Sequence, residues 1–281
     1  MQELANVDLR HQGARLAALE RPGPGSPLVL LHGVAGNAMS FKPLIDRIPG
    51  RHILAIDMPY HGRSGGVPSV ELPDLADAIF EAVTDYLGED ATWGGHSWGG
   101  KVAAIVAAKH PHEVESLILL DPSHAGEIPL PAEIAVDAMF GPELASWNSL
   151  EEACMAVRHL PQYANWDDDR RCAFERGLMR DALGAWRPVA AREKLIAICA
   201  ALSKDYSRLI GSITCPTMLI VSEQSLGWQE TGNIALMPHA ATVVVRSNHW
   251  LMADNPEAVA NVIAGLKWMA TTDRESAAAR A

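Results

Sequence analysis

The 281-residue chain is short of several things, and each shortage removes a class of function. No apolar run approaches the roughly 18 to 20 residues that a membrane-spanning helix requires. The opening Met-Gln-Glu-Leu-Ala-Asn-Val-Asp lacks the basic start and apolar stretch of a secretion signal. Both absences predict a cytoplasmic protein with no membrane partner. Positive charge is in the minority: 23 Lys and Arg against 34 Asp and Glu leave a net charge of -11, which repels nucleic acid and anionic lipid surfaces. The four cysteines, Cys154, Cys172, Cys199 and Cys215, form no Cys-x-x-Cys pair and lie on apolar backgrounds. They read as free, mostly buried thiols in a reducing compartment, with neither a disulfide framework nor a zinc site. Internal repeats are absent, and the only biased tract is the Ala-rich end, residues 275–281, which is expected to fray. Nothing points to a metal, an organic cofactor or a particular oligomeric state.

What is present is an ordinary globular composition, 48% hydrophobic and 20% charged, sufficient for a sizeable core. Residues 7–10 and 14–19 predict two short strands joined at Gly13. Pro27-Leu-Val-Leu-Leu31 and His52-Ile-Leu-Ala-Ile56 are unbroken apolar runs of strand length, as expected of strands covered on both faces. Each ends in a suspicious loop, His32-Gly33-Val34-Ala35-Gly36 in one case and Asp57-Met-Pro-Tyr-His-Gly-Arg-Ser64 in the other. A short helix is expected over 40–48 with Ser40 as its cap. A longer one is expected over 72–87, where Leu75, Ile79, Val83 and Tyr86 recur at helical spacing before Gly88. Residues 114–120, 215–221 and 241–245 read as further strands, and 256–269 as a closing amphipathic helix. Alternating strands and helices predict a parallel, doubly wound sheet that binds ligands at the carboxyl ends of its strands. Between residues 125 and 212 the alternation gives way to helical periodicity with no convincing buried strand. That division predicts a core from 1–124 and 213–281, with 125–212 as an inserted helical lid.

Ser97 is the residue around which the chemistry assembles. It stands in Gly95-His96-Ser97-Trp98-Gly99, a G-x-S-x-G pattern, with a helix-compatible Ala- and Val-rich run behind it. A serine on a sharp strand-to-helix turn needs small neighbours, and the helix N-terminus behind it offers N–H groups to any oxygen that becomes negative. Gly62-Arg-Ser64-Gly-Gly66 also matches the pattern, but Pro68 and Pro73 prevent a helix from following, so Ser64 reads as loop. A serine hydroxyl needs a neighbouring base. Among eleven histidines, His249 lies in the loop between the last strand and the last helix, an end-of-strand position shared with Ser97. His96 is expected to point away from the tip of the turn, and His32 to shape its own loop.

These motifs together resemble the α/β-hydrolase fold superfamily over nearly the whole chain: His32-Gly33, Asp57 to Ser64, the Ser97 elbow and Asn248-His249-Trp250. The resemblance implies a mostly parallel sheet of about eight strands and supports the lid. It also implies an oxyanion hole made by the backbone N–H groups of Val34 and Trp98. One departure stands out. Members usually carry an aspartate in the loop after the seventh strand, where this chain has Ser225. Asp121, just past the sixth strand where some members keep their acid, is the preferred partner of His249, and Glu223 the alternative. The expected activity is that of a serine hydrolase cleaving an apolar or aromatic carboxylic ester, lactone or thioester through an acyl-enzyme. Amide or C–C bond hydrolysis on the same fold, as in proline iminopeptidases, and a ligand-binding protein with little turnover are the rival readings. Met139, Phe140, Met155, Tyr163 and Trp166 are candidate pocket residues, and Arg170, Arg171, Arg176 and Arg180 candidate carboxylate ligands or a solvated helix face.

Overall fold

The computed structural model describes residues 4–11, 13–140, 146–160, 163 and 165–265. The chain begins with a hairpin, β1 (Ala5–His11) and β2 (Ala14–Arg21), whose turn uses Gly13 at φ 86°. Next come β3 (Leu28–Leu31), α1 (Lys42–Ile45) and β4 (Ile53–Ile56), both strands buried at every position as their unbroken apolarity requires. Helix α2 (Leu72–Leu87) presents Leu72, Leu75, Ile79 and Val83 to the core and ends on Gly88 at φ 68°, as its spacing predicts. Tyr86 sits at the rim of that face, 38% exposed, with its hydroxyl donating to Glu20 at 2.9 Å.

The rest of the core follows as β5 (Ala91–His96), α3 (Trp98–Lys109) and β6 (Val114–Leu120). The sheet has eight strands in the order β1-β2-β4-β3-β5-β6-β9-β10, where β9 is Thr217–Ser222 and β10 is Ala241–Val245. Only the β1/β2 and β2/β4 pairs are antiparallel. Every other pair is parallel, so the carboxyl ends of β3, β4, β5, β6, β9 and β10 all open onto one edge.

Between β6 and β9 lie α4 (Ala132–Phe140), α5 (Leu150–Val157), α6 (Asp168–Arg176), α7 (Arg192–Leu202) and α8 (Ser207–Ile210). Two small clusters form in this segment, one around Trp147, Cys154 and Phe174 and the other around Val136, Leu195 and Cys199, against which Val34 packs. Ala125, Ile198, Ala201, Ile210 and Ile213, by contrast, join the main core. The segment also holds a hairpin absent from the sequence reading, β7 (Leu178–Arg180) with β8 (Trp186–Pro188). Three-residue strands show no alternation to read. The hairpin is closed by a turn in which Asp181 accepts from the N–H groups of Leu183 and Ala185, both at 2.9 Å.

One cap assignment changes. The cap of the turn before α1 is Asn37, whose side chain accepts from Met39 N–H at 3.1 Å, while Ser40 reaches back to the Asn37 N–H at 3.3 Å. After β9 come α9 (Leu226–Gln229), α10 (Leu251–Asp254) and α11 (Pro256–Gly265), which buries Val259 and Ile263. The expected continuation of that helix to Met269, and the Ala-rich end, lie outside the described residues. Among the described residues no helix is long and apolar enough to cross a membrane. All four thiols are free, with Cys172 exposed and the other three buried.

Candidate active site

Ser97 occupies the turn between β5 and α3 with φ 53° and ψ -117°, a conformation that costs on the order of 1–3 kcal/mol and persists only where the surroundings impose it. Two glycines let them do so. A Cβ on Gly95 would stand 2.3 Å from the Gly99 carbonyl oxygen, and one on Gly99 would stand 2.2 Å from that of Leu31. The Ser97 N–H donates to Leu120 O at 3.2 Å, and its carbonyl accepts from Ser123 N–H at 3.0 Å, so the elbow is stitched to both sides of Asp121. Ser64, the other serine in such a pattern, is buried: its hydroxyl donates to Asp57 O and accepts from Ala17 N–H at 2.8 Å, a bracing role.

His249 and Asp121 meet across the sheet edge. The His249 Nδ1–H donates to Asp121 Oδ2 at 2.7 Å. Asp121 is fully buried with φ 45°, and its carboxylate also accepts from Ser222 N–H at 3.1 Å, the Ser222 hydroxyl at 3.1 Å and the Ser225 hydroxyl. Burial alone would raise its pKa, but the hydrogen bonds from His249, Ser225 and Ser222 outweigh that and hold it below the ordinary carboxylate range. Glu223 is exposed, and only its backbone N–H is engaged here, donating to Val245 O at 3.0 Å. Ser225, which stands where the resemblance implies an acid, is therefore a donor to Asp121 on the neighbouring strand. A buried carboxylate needs such donors, and two serines facing Asp121 across the β6/β9 pair were the signal available in the sequence.

The expectation that His96 turns away from the site is not met. Its Nε2–H donates to the His249 carbonyl at 2.8 Å, and the two rings lie 4.6 Å apart. Burial, assisted by repulsion from His249, takes its pKa down to about 3, so it stays neutral. His32 does shape its loop, with Nδ1–H donating to Gly33 O at 2.7 Å and Nε2 accepting from Met58 N–H at 2.9 Å. That loop runs against the elbow: a Cβ on Gly33 would come within 3.1 Å of Ser97 Cβ. Among the described residues no group of three or more His, Cys, Asp or Glu is placed to hold a metal ion.

Residues 26–256 match the model of the alpha/beta hydrolase fold family. The chain belongs to the α/β-hydrolase fold family. Among known proteins, it is 38% identical over 92 residues to the pimeloyl-[acyl-carrier protein] methyl ester esterase of Proteus mirabilis (strain HI4320), covering 32% of this chain and 34% of that protein. It is 33% identical over 109 residues to an sn-1-specific diacylglycerol lipase of Xenopus tropicalis, covering 38% of this chain and 34% of that one. The matched segments thus span about a third of these curated relatives. Of solved structures, E-2-(acetamidomethylene)succinate hydrolase superposes with a TM-score of 0.81 at 24% identity, covering 94% of this chain and 98% of the other, a likeness of fold.

Beside these residues this α/β-hydrolase has a mostly apolar cavity. It has a volume of about 300 Å³ and is bounded by Gly33, Val34 and His96 at the elbow, by Trp250 beside His249, and by side chains of the β6–β9 segment. Met139 and Tyr163 line it as expected. Met155 instead faces outward at 65% exposed, and Trp166 packs with Tyr163 and Phe174 inside the segment. The side chain of Phe140 lies outside the described residues. The arginines have other work. Arg176 reaches the fully buried Asp57 at 2.7 Å, and Arg170 pairs with Asp254 and Asp167. Arg171 holds Glu175 on the surface, and Arg180 donates to Gly184 O. A further tie went unnoticed in the sequence: Lys101, one turn past Ser97 and 1% exposed, donates to Leu202 O at 2.8 Å and Lys204 O at 2.9 Å.

Proposed function

We propose that the protein is a serine hydrolase that cleaves uncharged carboxylic esters with an apolar acyl group, through an acyl-enzyme on Ser97. The observation that carries this reading is the hydrogen bond from His249 Nδ1–H to a buried, four-fold hydrogen-bonded Asp121, set beside an elbow serine in a strained conformation. An ionised acid on Nδ1 fixes the imidazole with its lone pair on Nε2, the form that accepts a proton. Ser97 Oγ attacks the ester carbonyl and gives its proton to His249 Nε2. The N–H groups of Trp98, at the start of α3, and of Val34 receive the oxyanion. The alkoxide leaves with the proton from Nε2, and water repeats the sequence to free the acid.

The substrate class follows from the cavity. At roughly 30 Å³ for each water-sized group, about 300 Å³ accommodates on the order of ten heavy atoms, a medium-length acyl chain. The wall arginine, Arg170, is already engaged by two acids, which leaves no unpaired cation among the described wall residues for a substrate carboxylate. We read residues 125–212 as the lid over this cavity, held to the core by the Arg176–Asp57 and Lys101 contacts. The relative named for a methyl ester agrees with the reaction class. Release of nitrophenol from p-nitrophenyl acetate, octanoate and palmitate is the test. Octanoate should be preferred and Ser97→Ala should abolish turnover; full activity in Ser97→Ala would end the proposal.

A further inference from the structure

His61 takes no part in the proton relay, yet it touches both halves of the anion site. Its ring is 3% exposed, and its Nδ1–H donates to Pro59 O at 3.0 Å, which leaves Nε2 as an acceptor. Nε2 receives the backbone N–H of Ala35 at 3.3 Å. Ala35 is the third residue of a turn closed by Gly36 N–H to Gly33 O at 3.0 Å, and it has φ 65°. That is the left-handed position where such turns favour glycine, so an alanine there is strained. An unforced turn would relax, swinging the peptides on either side of Val34. On its other face the His61 ring lies 5.4 Å from the Trp98 indole, centroid to centroid, and 5.2 Å from His32. One imidazole thus holds the residue next to Val34 and lies against the ring of Trp98.

We propose that His61 is a positioning residue for the oxyanion site: by accepting the Ala35 N–H it holds the 33–36 turn in the strained form that aims the Val34 N–H at the reacting oxygen. Burial lowers the His61 pKa below the ordinary histidine value, so the acceptor nitrogen stays free of a proton at neutral pH. The inference rests on the ester-hydrolase reading, in which the Val34 and Trp98 amides bind the developing charge.

An alkyl trifluoromethyl ketone tests it. Ser97 Oγ adds to the ketone carbon, its proton passes to His249, and the carbonyl electron pair becomes an oxyanion in the same pocket. Complete removal of one oxyanion donor costs about 10²–10³ in kcat. A misaimed donor in His61→Leu should therefore cost about 10- to 100-fold in kcat with KM little changed, and the ketone's affinity should fall by the same factor. Adding Ala35→Gly, which removes the Cβ penalty of the left-handed turn, should restore at least a third of the loss on a logarithmic scale. Should His61→Leu fail to fold, His61→Gln is judged by the same two readings. A kcat loss without a matching loss of ketone affinity, or a His61→Leu enzyme as active as wild type, overturns the proposal. Wild-type protein that is captured by the ketone on Ser97 but turns over no ester would defeat the ester reading alone, because the ketone series still reports on His61.

Discussion

Replacing Asp121 by asparagine separates the charge of the carboxyl group from its shape, and the surroundings dictate how the new amide must lie. At Oδ1 stands the backbone N–H of Ser222, 3.1 Å away, a donor that cannot turn round. The amide oxygen must keep that place, so its NH₂ falls at Oδ2, 2.7 Å from His249 Nδ1. An NH₂ there demands an acceptor, which forces the imidazole to carry its proton on Nε2. The nitrogen assigned to take the proton of Ser97 is then already occupied. The expected cost is about 10⁴-fold in kcat, or about 5.5 kcal/mol, as for other triads in which the acid is made neutral. KM should change little, since the cavity wall does not include Asp121. Single-turnover and steady-state hydrolysis of p-nitrophenyl octanoate give the two numbers, with Glu223→Gln, an exposed residue, as the control expected to stay within about twofold of wild type. An Asp121→Asn enzyme within tenfold of wild type, or a larger loss at Glu223, would refute the assignment of the acid.

Arg176→Met should lower stability by about 3 kcal/mol in urea titration, near the lower end for breaking a buried pair, because Asp57 keeps hydrogen bonds from the Ala38 and Arg63 N–H groups, both at 2.8 Å; no change in the midpoint would remove this contact as an anchor. Filling the cavity with Val189→Phe should cut kcat/KM for octanoate at least tenfold relative to acetate, as expected when a pocket is shortened; an unchanged ratio would place the acyl chain elsewhere. Stability should fall as pH drops below about 6.5. Burial lowers the pKa of His32, His61 and His96, so the unfolded chain takes up protons that the folded one refuses, down to about pH 3 for His96. Each such histidine contributes up to about 1.4 kcal/mol per pH unit, and His96→Gln should flatten the slope between pH 6 and 4.5; an identical slope would mean that His96 is protonated in the folded state.

Most of the sheet was legible because its strands carry their burial in plain form: Leu28–Leu31 and Ile53–Ile56 are apolar at every position and are covered on both faces. The elbow was legible because Gly95 and Gly99 are required by close backbone approach, a constraint local to five residues. What stayed hidden depended on residues far apart in sequence. His96 was expected to point away from the tip of the Ser97 turn because nothing local shows that the loop bearing His249, about 150 residues on, comes back over its ring. Ser225 registered only as a missing acid, whereas its hydroxyl is a donor to Asp121 across the neighbouring strand. The arginines of α6 could be read as a solvated face until Asp57 and Asp254 were seen beneath them. The β7/β8 hairpin escaped because three residues per strand are too few to show a period.

The measurement that reaches most directly to the centre is covalent labelling with a fluorophosphonate, followed by peptide mapping by mass spectrometry. A single adduct on Ser97, slowed severely in His249→Ala and absent in Ser97→Ala, is what this geometry requires. An unlabelled wild-type protein, or an adduct on Ser64 instead, would contradict it.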